Sequence, residues 1–191
     1  MKILKVLLVL IVGLAASYLV TCFFGPTEMN VVVTRPCKGD ANQYRLGVAN
    51  FEHWANWSPW RSDVTAEFKY SGKANAVGHK MEWEGEEMGS GSQVITHYDC
   101  DALSTSLDFG MGMVQSSDWR FKQVSDGEVE LVWTYNGGEV PFWNRGLFWL
   151  LDAQKMIESD YNKGLSDLET WVNKSNLTDV DPCAIASDLG L

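Results

Sequence analysis

Residues 146–172 constrain the fold more than any other stretch. Apolar side chains recur at Leu147, Leu150, Leu151, Ile157, Tyr161, Leu165, Leu168, Trp171 and Val172. That three/four spacing predicts one side of a long amphipathic α-helix. The opposite face carries Asp152, Lys155, Glu158, Asp160, Lys163, Asp167 and Glu169, and no proline interrupts the run. Gly164 within it weakens a helix by about 1 kcal/mol relative to alanine, so close packing against a neighbour is expected there. Most of the chain between residues 31 and 135 reads as strand, which leaves a sheet to cover the helix's apolar side.

The strand readings rest on alternation and turn residues. Residues 30–35 are β-branched and predict a first strand, ended by Pro36. Two short helices follow, over 38–50 and 51–56, the second stopped by Ser58-Pro59. Six further strands are expected over 64–70, 78–83, 88–98, 103–109, 117–124 and 128–135. Gly89 and Gly91 in the fourth strand permit sharp bending or close approach. Ser125-Asp126-Gly127 is a hairpin turn, and Gly137-Gly138 leaves the sheet. The class is therefore α+β: a curved antiparallel sheet of about seven strands around a long C-terminal helix, with two short helices after strand one.

Residues 6–25 contain no charged side chain, and about twenty such residues cross a bilayer. Lys2 and Lys5 precede them and predict a cytoplasmic N-terminus, with the folded body on the extracytoplasmic side. The expected layout is an anchor or signal segment over 1–26, a folded domain over 27–173 and a polar, loosely ordered tail over 174–191. The length of the apolar run favours an uncleaved, single-pass anchor over a cleaved signal peptide. Leu19-Val20-Thr21-Cys22 resembles a lipobox, with Thr where that pattern takes a small residue. The net charge of −10, without a basic patch, argues against nucleic acid as a partner. In an exported domain, two of Cys37, Cys100 and Cys183 can form a disulfide, and the sequence leaves all three pairings open. The scattered His53, His79 and His97 and the absence of a Cys-x-x-Cys pair give no metal-site pattern, and no cofactor is expected. Asn173-Lys174-Ser175 and Asn176-Leu177-Thr178 fit glycosylation sequons.

One group of motifs points to a family. Phe51-Glu52-His53-Trp54-Ala55-Asn56-Trp57-Ser58-Pro59-Trp60 resembles the Trp-x-x-Trp-Ser-Pro-Trp stretch of the START-related SRPBCC superfamily, in particular its polyketide cyclase/dehydrase and lipid transport branch. Val77-Gly78 leading to Trp83-Glu84-Gly85, and then Gly89-Ser90-Gly91-Ser92, are similar to that branch's next two strands. Leu107-Asp108-Phe109-Gly110, Pro141-Phe142 with Arg145-Gly146-Leu147-Phe148, and Asp160-Tyr161-Asn162-Lys163-Gly164-Leu165 extend the likeness over residues 30–172. The resemblance implies a helix-grip fold, often behind an N-terminal anchor. It also implies a hydrophobic small molecule or lipid held between sheet and helix; a minority of members are enzymes, and one fold hosts many functions.

Candidate ligand contacts follow from alternation. Met81, Trp83, Leu107, Phe109, Met111, Met113, Trp119, Phe121 and Trp133 occupy odd positions on neighbouring strands, so each run shares one sheet face. On the concave face they line a cavity or fill a solid core; methionines would make a cavity wall adaptable. Trp57 and Trp60 flank Ser58-Pro59 and either lock the short helices onto the sheet edge or gate the cavity mouth. Phe142, Trp143, Phe148, Leu151 and Met156 surround the start of the long helix as its packing, as a lid, or as a segment dipping toward the membrane. The expected ligand set is Trp60, the nine strand residues, Phe142, Phe148, Leu151 and Met156. Asp108, Glu82, Glu84, His79 and His97 are the acid/base candidates on the strands, and their spacing forms no dyad or triad, so no catalytic residue is assigned. The expected function is binding of a hydrophobic small molecule or lipid by a membrane-tethered domain. The alternatives are a cyclase or hydrolase with an acid/base pair facing the cavity, and a protein-interaction module with an exposed apolar patch.

Overall fold

The structure, a computed structural model, describes residues 2–110, 114–175 and 177. The chain opens with helix α1 (Lys2–Phe24), which is long and apolar enough to cross a membrane. Strand β1 (Glu28–Lys38) follows. Helix α2 (Ala41–Ala49) starts where the Asp40 carboxylate accepts a hydrogen bond from the Asn42 amide at 2.8 Å, an N-cap. Asn50 caps a short 3₁₀ turn, Phe51–His53, that runs directly into α3 (Trp54–Trp57). Ser58 and Pro59 end α3 and open a second 3₁₀ turn, Pro59–Ser62. The remaining strands are β2 (Glu67–Ser71), β3 (Lys80–Gly85), β4 (Gly89–Tyr98), β5 (Ala102–Asp108), β6 (Val114–Ser125) and β7 (Glu128–Glu139). Helices α4 (Phe142–Leu150) and α5 (Ala153–Val172) complete the elements.

The seven strands form one curved antiparallel sheet in the order β1-β7-β6-β5-β4-β3-β2. β1 pairs with the last strand, so α2 and α3 carry the chain from one sheet edge to the other. From β2 onward each strand pairs with the next in the chain. Gly127 supplies the positive φ of +74° in the β6–β7 turn. Bulges interrupt the register between Ile95 and His97 and between Gln123 and Ser125, and such bulges bend a sheet. On α5 the buried residues are Tyr161, Gly164, Leu165, Leu168 and Val172, the helical stripe that closes the concave face. A Cβ on Gly164 would lie 2.9 Å from the Trp133 ring and 3.1 Å from Pro59, which is the close packing expected of that glycine. Arg35 to Glu169 and Arg61 to Asp167, both at 3.4 Å, tie α5 to β1 and to the short helices; such partly exposed pairs contribute little.

Several expectations are corrected. The long helix is two helices: Asp152 sits in the left-handed region at φ 49°, ψ 47°, between α4 and α5. The cause is a change of partner, because α4 packs on α1 while α5 packs on the sheet. The Tyr18 hydroxyl donates to the Trp143 carbonyl at 2.5 Å. The Phe23 and Phe142 rings meet edge-on at 5.3 Å. Pro36 does not end β1, which continues to Lys38 with Pro36 opposite Glu130; an edge strand has an unpaired side that tolerates a missing N–H. Gly137-Gly138 does not leave the sheet, since β7 runs to Glu139 opposite Glu28. β2 begins at Glu67, because Thr65 is held in a turn by Asp63.

Cys22 and Cys37 are free and buried, while Cys100 is disulfide-bonded. The pairings that use Cys37 are thereby excluded. Burial, with the nearby Glu169 carboxylate, pushes the Cys37 thiol up to about 11, far from the reactive thiolate range. Cys183, most of the expected tail, and Asn176 and Thr178 of the second sequon lie outside the described residues.

Candidate functional site

A cavity of about 470 Å³ opens between the sheet, the short helices and α5. Its wall is built by alternation on edge-ward strands. Phe68 and Tyr70 of β2 stand directly opposite Trp83 and Met81 of β3, so all four side chains point to one face. Leu107 of β5 and Trp133 and Tyr135 of β7 continue that wall. Trp54, Ser58 and Trp60 close it from the short helices, and Ile157, Asp160 and Tyr161 from α5. Gly91 lies opposite Trp83 on β4. A Cβ there would strike the Trp83 indole, so only glycine lets the ring lie flat over β4.

Gln93 and Ser117 bring polar groups into the sheet side of the lining. The Gln93 side-chain amide donates to Thr105 Oγ1 at 2.9 Å, and Thr105 Oγ1 donates to the Ser117 carbonyl at 3.0 Å. Trp133 Nε1 donates to Ser117 Oγ at 2.8 Å. These pairings satisfy groups whose burial would otherwise be unfavourable by about 1–3 kcal/mol each. Trp83 Nε1 is buried without a hydrogen-bond partner among the described residues. Burial pushes the Tyr161 phenol upward. Burial also raises the Asp160 carboxyl, against the opposing pull of Lys163. Asp63 at the rim has the reverse shift: the Thr65 hydroxyl, helped by the amides of Met88, Thr65 and Glu87, holds its carboxyl at about 2. Among the described residues, no group of three or more His, Cys, Asp or Glu side chains has metal-binding geometry.

The concave face is divided. On the β1, β6 and β7 side it is solid: Trp119 and Trp133 stack at 4.1 Å, and Phe121 stacks on Trp119 at 6.1 Å. Trp54 and Trp57 stand edge-on to both indoles at 6.0–6.4 Å. Tyr161 stacks on Trp133 at 3.7 Å and marks the boundary of the cavity. Trp60, Met81, Trp83, Leu107, Phe109 and Trp133 from the expected set therefore meet around the cavity. Trp119 and Phe121 are displaced from it into the solid half: the Trp54 and Trp57 rings stand against Trp119, and Phe121 stacks on Trp119. Phe142 and Phe148 lie on α4, and Leu151 and Met156 are exposed near the helix break, all away from the cavity. Met111 and Met113 lie outside the described residues. Trp57 locks the short helices, its Nε1 donating to the Gly47 carbonyl at 3.3 Å, whereas Trp60 faces the cavity.

The strand acid/base candidates are not in the wall. Glu82, Glu84 and Asp108 are exposed, and His97 makes an exposed 2.8 Å contact with Asp99. His79 is buried away from the cavity. Its Nε2 accepts from the Phe51 amide at 3.1 Å, so its proton is on Nδ1, facing the Ser71 carbonyl. Phe68 and Tyr70 were missed although their alternation signals them. Gln93 and Ser117 carry no such signal, since polar residues at inward positions break the pattern.

No family model matches this chain, and no curated protein does. Solved structures do. A Chromobacterium violaceum protein of known crystal structure is 14% identical with a TM-score of 0.55, over 77% of this chain and 98% of its own. A Thermobifida fusca protein solved in solution is 14% identical with a TM-score of 0.56, over 76% of this chain and 94% of its own. A hypothetical protein of Helicobacter pylori is 11% identical with a TM-score of 0.58, over 76% and 89% respectively. At such identities the likeness shows a shared α+β fold of antiparallel sheet and C-terminal helix and nothing about activity.

Proposed function

We propose that this chain is a helix-grip domain of the START-related SRPBCC type that binds one hydrophobic small molecule or lipid while tethered to a membrane by α1. The observation that carries the reading is the cavity of about 470 Å³, walled mainly by aromatic side chains, leucine and methionine. Ligand pockets commonly measure about 300–1,000 Å³ and combine apolar walls with a few polar groups. Binding would draw on apolar burial, about 25 cal/mol per Å² removed from water. Trp83 Nε1, a buried donor without a partner among the described residues, favours a ligand that carries a carbonyl or hydroxyl oxygen. The sheet order, the two short helices after β1 and α5 over the concave face all agree with a helix-grip assignment. The positive residues before α1 favour a cytoplasmic N-terminus, and the disulfide at Cys100 favours an oxidising compartment for the domain.

The test is native mass spectrometry and lipid extraction on the full chain purified in detergent. One apolar molecule per chain is expected. Its occupancy should fall about tenfold in Leu107→Trp, which fills the cavity from β5, and in Ala55→Trp, which blocks it from the exposed side of α3. An empty protein that also ignores apolar fluorescent probes would overturn the reading. Asp160 supports an enzymatic alternative, since a carboxyl raised by burial in a cavity wall is suited to proton transfer. Ester or polyketide turnover abolished by Asp160→Asn would favour that alternative.

A further inference from the structure

The α4 segment does something that the cavity does not require. It is nine residues long, and apart from Asn144 its exposed residues are apolar: Trp143 is 66% exposed and Leu150 59%, with Leu147, Trp149 and Leu151 beside them. Trp143, Leu147 and Leu150 follow the three/four spacing of a single helix face. Between Glu139 and Asp152 the one charged side chain is Arg145. Its Nε is turned inward to donate to the Val140 carbonyl at 3.0 Å. An uncovered apolar stripe of this kind on a folded domain marks a contact surface.

The packing of α4 identifies what covers it. Gly146 fits against α1, where a Cβ would meet Thr21 Oγ1 at 2.5 Å, Cys22 Sγ at 2.9 Å and the Tyr18 ring at 3.0 Å. Gly25 is pressed against the Arg145 backbone in the same way. Tyr18 to Phe24 is the last ~9 Å of α1 at about 1.5 Å per residue. If α1 crosses a bilayer, α4 lies beside the exit of that span, at the depth of the headgroups and upper acyl chains. At that end of α1, Phe23 and Phe24 are themselves 77% and 75% exposed, and Phe23 meets Phe142 of α4. Tryptophans flanking one end of a span match the composition of membrane interfaces.

We infer that α4 is an interfacial helix that lies in the outer-leaflet surface of the bilayer with Trp143, Leu147 and Leu150 among the lipids. With α1, it fixes the domain's orientation on the membrane. This rests on the membrane reading of α1 and on nothing about the cavity. The Asp152 break then has a purpose, since it separates a lipid-facing helix from a sheet-facing one.

The test places p-benzoylphenylalanine, one site at a time, at Leu10, Leu150 and Asp126 in the full chain reconstituted into phosphatidylcholine vesicles. Asp126 is exposed in the β6–β7 hairpin, at the opposite end of β7 from α4. Irradiation followed by mass spectrometry should give lipid adducts at positions 10 and 150, with those at 150 exceeding those at 126 by about tenfold. Lipid adducts at 10 with none at 150 would overturn the inference while leaving α1 as an anchor. Cross-links from 150 to a second copy of the chain would overturn it in favour of a dimer. No lipid adduct at 10 would remove the anchor and the inference together. The substituted sites at 150 and 126 are exposed, so the fold tolerates them.

Discussion

Asp63 shows how one side chain secures the rim of the site. Its Oδ1 accepts from the Thr65 amide and hydroxyl at 2.9 and 2.6 Å, and its Oδ2 from the Glu87 and Met88 amides at 3.1 Å each. It thus ties the segment after the short helices to the β3–β4 turn. Only the ionised carboxylate accepts all four bonds, which is why its pKa falls from 3.8 to about 2. A depressed carboxylate stabilises the fold above its unfolded pKa, and the contribution disappears as pH falls through the folded one. Asp63→Asn should therefore unfold at lower temperature than the parent at pH 7. The gap between the two melting temperatures should shrink as pH drops from about 4 to about 2. Thermal unfolding followed across that pH range reads the gap directly, and a gap independent of pH would contradict the assignment.

Among the elements, the α4–α5 junction holds a non-glycine residue in a strained backbone conformation. Asp152 holds a left-handed conformation and its side chain makes no capping hydrogen bond. A non-glycine residue in that region is disfavoured by about 1–2 kcal/mol. Asp152→Gly is expected to stabilise the protein by a few tenths to about 1 kcal/mol, the relief of strain being partly offset by greater freedom of the unfolded chain. Denaturant unfolding with an unchanged m-value would measure it, and a loss of stability would mean that Asp152 contributes an interaction that offsets its strain. The periodicity of residues 146–172 correctly located helical sequence on both sides of the junction. It did not register the break, because both halves are amphipathic and a stripe does not say what covers it.

At the scale of the whole molecule, the tryptophans partition the interior. Trp54, Trp57, Trp119 and Trp133 fill one half, and the cavity occupies the other. Trp54 belongs to both, since it packs on Trp119 and also faces the cavity. Trp54→Ala is expected to lower stability by about 3–5 kcal/mol and to let bulkier apolar probes bind, as measured by unfolding and by probe titration. Unchanged probe size selectivity would mean that the interior collapses around the lost ring. The sequence by itself located seven strands to within a few residues, the two short helices after β1, the apolar α1 and the glycines at 91 and 164 where close approach was expected. Each of these follows from local periodicity or from the absence of a Cβ. Tertiary structure alone decided that Trp119 and Phe121 are solid core while Trp83 and Leu107 face a hollow, and that α4 leaves the sheet for α1. Alternation records which face of a strand is buried, but whether a ring, a helix or empty space lies opposite depends on residues distant in the chain.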